Sequence, residues 1–377
     1  MRDAVIVDAV RTPVGKRNGS LAGIHPADLT AHVLNAVVGR VGLEPAEVDD
    51  VVWGCVSQVG DQSGNVGRVG ALAAGWPESV PGTTIDRKCG SSQQAVAFAA
   101  AGVISGQYDV AVAGGVESMS RVPMGANRLD GDPYAPSVYE RYRVEQFNQG
   151  VGAEMVAKRW GLDRMQLDEY SARSHERAAA AIDAGALDGQ LAPISGGLAV
   201  DEGLRRGSTT ETLGGLRTAF SEDGVITAGN SSQISDGAGA LLVTTSEIAA
   251  ARGWTPLARI HTTVVTGDDP VIMLTGPIPA TRKVLDRSGL SIADIGAFEV
   301  NEAFAPVPLA WQAEFGVADE ALNPLGGAIA VGHPLGGSGA VLMTRLVHHM
   351  RDNDIRYGLQ TMCEAGGMAN ATILELL

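Results

Sequence analysis

Hydrophobic positions along this chain change period again and again. Ala4 to Val7 and Val51 to Val56 are short apolar runs bounded by polar residues, which predicts buried strands. Leu29, Val33, Leu34, Val37, Val38 and Val41 recur at helical spacing and predict an amphipathic helix. Gly90 to Ser105 is rich in Ala and Val, lacks Pro and carries no charge. It predicts a helix apolar on every side, hence buried, and closed by Gly106 as a C-cap.

The pattern repeats. Gly42 to Val48 (GLEPAEV) leads into Val51–Val56, and Gly289 to Ile295 (GLSIADI) leads into Phe298-Glu299-Val300. An amphipathic helix precedes each copy, Ala280 to Ser288 in the second. A Gly-rich stretch, another buried helix and a strand ending in a glycine pair follow each. The pairs are Gly114-Gly115 after Tyr108–Ala113, and Gly366-Gly367 after Gly358–Cys363. Such alternation predicts two α/β halves with mostly parallel, helix-covered sheets, packed on each other. Glu117 to Gln233 breaks the pattern. It holds Pro123, Pro133 and Pro136, a Tyr-rich polar patch and two helical patterns, Ala153–Trp160 and Met165–Ala184. This is an excursion with helices of its own, and Asn230 to Thr245 brings the chain back to the first half before the second begins near Pro256.

Composition narrows the class. The 377 residues are 45% hydrophobic and 19% charged, as in a well-buried globular enzyme of two or three domains. A net charge of -15 argues against nucleic acid and anionic membranes as partners. The longest apolar runs, such as Ala95 to Ile104, are too short to span a bilayer, and the acidic N-terminus is unlike a signal peptide. Three cysteines are too few for a disulfide framework and fit a reducing, cytoplasmic setting. No Cys-x-x-Cys, His/Glu ligand spacing, dinucleotide fingerprint or Walker pattern occurs, so no metal or nucleotide cofactor is expected.

Candidate chemistry gathers at four places. Cys89 opens the buried helix, where unsatisfied N–H groups and the helix dipole favour a thiolate nucleophile. His333 lies between Gly332 and Pro334 in NPLGGAIAVGHPLGGSGA, placed as a base at a strand-to-helix turn. Cys363 ends an apolar strand before a glycine turn, and Asn301 to Phe304 (NEAF) follows another strand end. The remaining histidines, His348 and His349 among them, have no comparable setting.

These four blocks in this order, with Gly114 to Ser120 (GGVESMS) and Gly229 to Ser232 (GNSS), resemble the thiolases, 3-ketoacyl-CoA thiolase and acetyl-CoA acetyltransferase, from Ala4 to the C-terminus. The resemblance implies an α/β fold of duplicated βαβαβαββ halves in five αβαβα layers with an inserted loop domain. The halves would be 1–117 plus 235–255 and 256–377, and the insert 118–234. It implies that Cys89 carries the acyl group as a thioester and that His333 takes its proton. Cys363 would move the α-proton of the second substrate. Asn301 would hold a water beside His333 as one oxyanion site, with the backbone N–H groups of Cys89 and Ala365 as the other. Arg205 and Ser232 match positions that bind CoA, and Met273, Phe304 and Gln149 positions along the acyl tail. The implied partners are acyl-CoA and CoA, without any other cofactor, in a homodimer or homotetramer.

Two departures from the family pattern matter. Ala365 stands where the family usually has Gly, which is harmless unless the site needs φ > 0. Asn148-Gln149-Gly150 replaces the His-Met-Gly of the biosynthetic enzymes, and Gln233 replaces a Gly. Together with a shorter excursion and the small Gly150 and Gly152, this points to a more open channel and to degradative thiolysis of fatty or sterol side-chain esters. The alternatives are a short-chain biosynthetic acetoacetyl-CoA thiolase and a non-catalytic CoA- or lipid-binding relative.

Overall fold

The structure, a computed structural model, describes residues 2–194 and 196–377. The first half contributes β1 (Val5–Arg11), β2 (Gly15–Lys16), α1 (Pro26–Val41), β3 (Asp50–Gly54), α2 (Val66–Ala73), β4 (Gly82–Ile85), α3 (Ser91–Ser105) and β5 (Val110–Ser118). The excursion carries α4 (Pro136–Tyr142), α5 (Gln149–Trp160), α6 (Arg164–Asp183) and α7 (Thr210–Gly214), and the chain returns on β6 (Ser235–Thr244). After α8 (Ser246–Ala251) come β7 (Ala258–Gly267), α9 (Pro277–Ser288), β8 (Ala297–Val300), α10 (Pro306–Phe315), α11 (Ala328–Val331), α12 (Ser338–Asp352), β9 (Tyr357–Glu364) and β10 (Met368–Leu376).

Strands bond in the order β4-β3-β5-β6-β1-β7-β10-β9-β8, with β2 beside β6. The two halves join where Val5 and Ile6 of β1 face Arg259 and Ala258 of β7. Helices α1 and α2 pack outside the first half, α9 and α10 outside the second, and α3 and α12 pack together between the two. The layers are therefore αβαβα. The duplication extends to a fifth strand position: β4 runs parallel to β3, and Leu322 makes a single parallel bridge to Phe298 of β8.

The expectation of mostly parallel sheets is corrected. Among the strand ladders of the described residues, β3 with β4, β3 with β5, and β8 with β9 are parallel and the others antiparallel. The cause is the chain's return path. After the excursion β6 comes back between β5 and β1, and β9 turns straight into β10, so neither connection needs a crossover helix. Gly114 and Gly115 likewise do not end a strand but lie inside β5. A Cβ on Gly114 would collide with the Gly239 carbonyl of β6 and the Trp53 ring, and one on Gly115 with the Gly336 carbonyl, so it is Gly115 that lets the His333 segment approach the sheet.

β3 stops at Gly54 rather than Val56. The N–H groups of Val56 and Ser57 instead bond Glu117, at 2.9 and 3.0 Å. Helix α5 begins at Gln149, earlier than its apolar pattern, because the Asn148 side chain caps Gly150 and Val151. Helix α3 ends at Gly106 with φ 81° as expected, but it is not covered all round. Phe98 is 49% and Ile104 46% exposed in the single chain. Among the described residues no helix is long and apolar enough to cross a membrane.

Candidate active site

The nucleophile candidate sits on a strained turn. Between β4 and α3 the chain passes through Lys88 at φ 49°, a conformation costing about 1–3 kcal/mol for a residue with a side chain. Ser91 holds the turn: its hydroxyl accepts from Arg87 N at 2.9 Å and donates to Lys88 O at 2.6 Å. Asp86 accepts from Lys88 N at 2.7 Å. Cys89 therefore emerges one residue before the Gly90 N-cap of α3. A Cβ at Gly90 would collide with the Glu364 carboxylate, so glycine is what lets β9 come this close.

Burial changes the electrostatic expectation. Cys89 is buried, and desolvation pushes its thiol up to about 12, with Glu364 adding to the rise; its own backbone N–H only partly opposes this. The resting group is thus a thiol, and the helix terminus alone does not ionise it. Cys363, in β9, is held well above its usual value, first by burial and then by the neighbouring Cys89. The two sulfurs share one low-dielectric site, and each needs a base or an acyl partner to react.

His333 is the candidate base. Desolvation lowers its pKa to about 4, so the imidazole is neutral. Its Nδ1 lies 2.5 Å from Ser338 Oγ, and the only Ser338 hydroxyl proton goes to Pro334 O at 2.9 Å. Nδ1 must then be the donor, leaving Nε2 as the free base. Asn301 Nδ2 stands 3.4 Å from that Nε2, and Asn301 Oδ1 has no partner among the described residues. Ala365 is not among the positive-φ residues, whereas Gly366 and Gly367 are, at 89° and 72°. The alanine in place of the usual glycine therefore costs the backbone nothing.

A cavity of about 570 Å³ opens over Cys89, lined nearby by Val56, Leu335, Ala365 and Met368 and further out by Met124, Arg128 and Tyr134. Gln149 reaches it as expected. Met273 and Phe304 do not: both pack in the apolar core of the second half, Phe304 edge-on to Phe220 at 6.0 Å. Gly150 and Gly152 do not widen the channel either. A Cβ on Gly150 would strike the Phe220 ring, and one on Gly152 would come 2.6 Å from Ile272 O, so both serve close packing. Arg205 and Ser232 line a second cavity of about 610 Å³ with Lys16 and Arg17. Arg206 is the member of the pair tied to the surface, by Asp183 at 2.6 Å.

Several further buried polar residues hold the site's segments in place, none of them assigned a role from the sequence. Buried Glu117 accepts from Val56 N, Ser57 N and Gln62 Nε2 in the first half and from Gly336 N, at 2.8 Å, beyond His333. Burial raises its pKa, and these four donors oppose that rise. Glu302 of the NEAF segment accepts from Tyr170 and Ser174 of α6, Asn323 Nδ2 and Ile329 N. Gln233 Nε2 bonds Gly203 O at 2.9 Å and Ile329 O at 2.8 Å. Its own carbonyl accepts from His333 N at 3.2 Å. The signal for Glu117 and Glu302 was present as acids inside glycine-rich or apolar strand ends, where a charge needs a reason. Among the described residues no group of three or more His, Cys, Asp or Glu is placed to hold a metal.

The comparisons with known proteins agree with this geometry. The thiolase N-terminal domain matches residues 4–247 and the thiolase C-terminal domain residues 254–376. The chain is 48% identical to a steroid 3-ketoacyl-CoA thiolase, FadA6, of Mycobacterium tuberculosis, covering 100% of this chain and 95% of that one. It is 41% identical to a beta-ketoadipyl-CoA thiolase of Escherichia coli, with both chains covered in full (100%). The crystal structure of the Bacillus anthracis acetyl-CoA acetyltransferase superposes with a TM-score of 0.92 at 37% identity, covering 100% of this chain and 99% of that one. With its nucleophile turn, paired thiols and doubled αβαβα layers, the chain belongs to the thiolase family of acyltransferases.

Proposed function

We propose that this thiolase works in the degradative direction, cleaving 3-ketoacyl-CoA with free CoA through an acyl-Cys89 intermediate. The observation that carries the reading is the pair of thiols: Cys89 stands near enough to Cys363 to raise its pKa and opens on a cavity of about 570 Å³, while burial keeps His333 neutral. In thiolysis His333 Nε2 takes the Cys89 proton as the sulfur attacks the 3-keto carbon. The C2–C3 bond breaks, and its electron pair passes to C2 of the leaving acetyl-CoA. Cys363 protonates that carbon and is reprotonated as free CoA enters. The CoA thiolate then attacks the acyl-Cys89 carbonyl and releases the shortened acyl-CoA, and the expelled Cys89 thiolate takes its proton back from His333. Thiolate is both nucleophile and leaving group, which suits two successive thioester steps. The backbone N–H groups of Cys89 and Ala365 face one developing oxyanion, and His333 with a water on Asn301 faces the other.

Arg205 and Ser232, joined by Lys16 and Arg17, fit the phosphates and pantetheine arm of CoA on an otherwise acidic protein. The residues 118–234 act as the loop domain that closes over this arm. No cofactor beyond CoA and its thioesters is required by these steps. The uncovered apolar face of α3, with Phe98 and Ile104, supports a homo-oligomer in which a second copy buries it. A cytoplasmic setting agrees with three free cysteines.

Mass spectrometry after acetyl-CoA tests the reading. Wild type should gain one acetyl on Cys89, and Cys89→Ser should neither acylate nor turn over. Cys363→Ala should acylate yet fail to exchange the α-proton. Loss of acylation in Cys363→Ala would make Cys363 structural and remove its assigned step. The short-chain biosynthetic alternative predicts cleavage of acetoacetyl-CoA only; kcat/KM along a chain-length series separates the two.

A further inference from the structure

The cavity over Cys89 is mostly apolar, but its outer wall is charged in a particular way. Two cations line it, Lys88 and Arg128, against a single carboxylate, Asp132. The Lys88 ammonium is already neutralised by Asp86 Oδ2 at 2.6 Å. Asp132 accepts from Tyr139 Oη at 2.9 and 3.0 Å and from Tyr134 N at 2.9 Å, and the Arg128 charge is near enough to add to the lowering of its pKa. Arg128 differs from both. Among the described residues its guanidinium makes no ion pair and donates no hydrogen bond, on a chain with 43 carboxylates and 28 Lys and Arg.

Its position is fixed by backbone rather than by side-chain partners. Arg128 ends a single 3-10 turn, Ala126–Arg128, bracketed by Gly125 at φ 87° and Leu129 at φ 51°. Its own carbonyl accepts from Gly131 N at 2.8 Å. The guanidinium, with its five donors, lines the same cavity as Cys89, together with the apolar Val56, Leu335, Ala365 and Met368 and the polar Ser57 and Gln149. The phosphates of CoA are met elsewhere, at the cavity of Lys16, Arg17 and Arg205.

We propose that this channel takes 3-ketoacyl-CoA thioesters whose acyl tail ends in a carboxylate, with Arg128 as the anchor that sets this preference. The inference rests on the reading of the cavity as the acyl channel. A bidentate guanidinium–carboxylate pair at the tail end would select a diacid-derived ester over the methyl-ended ester of equal length.

The test is thiolysis of matched esters of six and eight acyl carbons, one ending in methyl and the other in carboxylate. Wild type should favour the carboxylate ester in kcat/KM by roughly tenfold. Arg128→Ala should collapse that ratio toward one, Arg128→Lys should keep part of it, and Arg128→Glu should invert it. A wild-type preference for the methyl ester, or a ratio unmoved by Arg128→Ala, overturns the anchor while leaving the acyl channel standing. Cleavage of acetoacetyl-CoA with neither longer ester accepted overturns the channel reading, and the anchor with it.

Discussion

Replacing Glu117 by Gln probes the link between the two halves of the site. The carboxylate is buried and each oxygen accepts two N–H bonds: Oε2 from Val56 N and Gly336 N, Oε1 from Ser57 N and Gln62 Nε2, with the Cys55 thiol 3.9 Å from Oε1 as well. Gln fills the same space but turns one of those acceptors into a donor. Whichever way the amide is flipped, two N–H groups meet an NH₂ and lose their bonds. Each buried donor so orphaned costs about 1–3 kcal/mol. The relief of no longer burying a charge offsets part of this, and a net loss of about 2–4 kcal/mol remains. Activity should suffer beyond stability. Gly336 lies three residues past His333, and misplacing a catalytic group by about 1 Å can cost about 10²-fold in rate. Urea unfolding gives the first quantity. Thiolysis at saturating substrate, on protein shown to be folded under assay conditions, gives the second. Stability within about 0.5 kcal/mol of wild type together with kcat within about twofold would refute the reasoning.

Three further outcomes follow from the same geometry. Ser338→Ala removes the acceptor that fixes Nδ1–H on His333; acylation of Cys89 should slow by roughly tenfold or more, within the ~10²–10⁴ a general base contributes, with KM little changed. Glu364 is raised from 4.5 to about 8 by burial, so the stability its protonated form gives is full below pH 4.5 and is lost as pH rises through 8. Glu364→Gln should therefore gain on wild type in Tm between pH 5 and pH 8, by up to about 3 kcal/mol near neutral pH, and an equal Tm difference at both pH values would contradict it. Arg205→Ala should raise KM for CoA esters severalfold, on the order of 1 kcal/mol, with kcat nearly kept, because a remote anchor binds ground and transition state alike. An unchanged KM at low ionic strength would remove Arg205 from the site.

The sequence made the layers and the chemistry legible for separate reasons. Helical spacing at Leu29 to Val41 and the doubled GLEPAEV and GLSIADI segments expose local periodicity, which survives folding unchanged. Cys89, His333 and Cys363 are rare residue types in glycine-dense surroundings, so they stand out singly. What was lost depends on contacts distant along the chain. That β6 enters antiparallel between β5 and β1 follows from where the excursion returns, which no period records. Gly114-Gly115 reads as a strand end, yet Gly114 answers to Gly239 of β6 and Gly115 to the Gly336 carbonyl far along the chain. Met273 and Phe304 have the size and polarity of channel residues and of core residues alike; only the packing of Phe220 into the space above Gly150 decides it. The Cys89 thiol shows the same divide: a helix terminus is visible in sequence, but the burial that pushes the thiol up against it is not.

The middle layer has a consequence for motion. Helix α3 starts just past Cys89 and helix α12 just past His333, and the two pack on each other between the sheets. The elements that carry Cys89 and His333 are therefore packed directly on one another. The excursion approaches them through Met119, in the apolar cluster of Cys89, through Gln149 and Gln233, and through the loop from Met124 to Tyr134. Turnover can then be slowed or sped by changes in that segment without altering the chemical step, and its length is the part of the chain most free to diverge among enzymes that share this core.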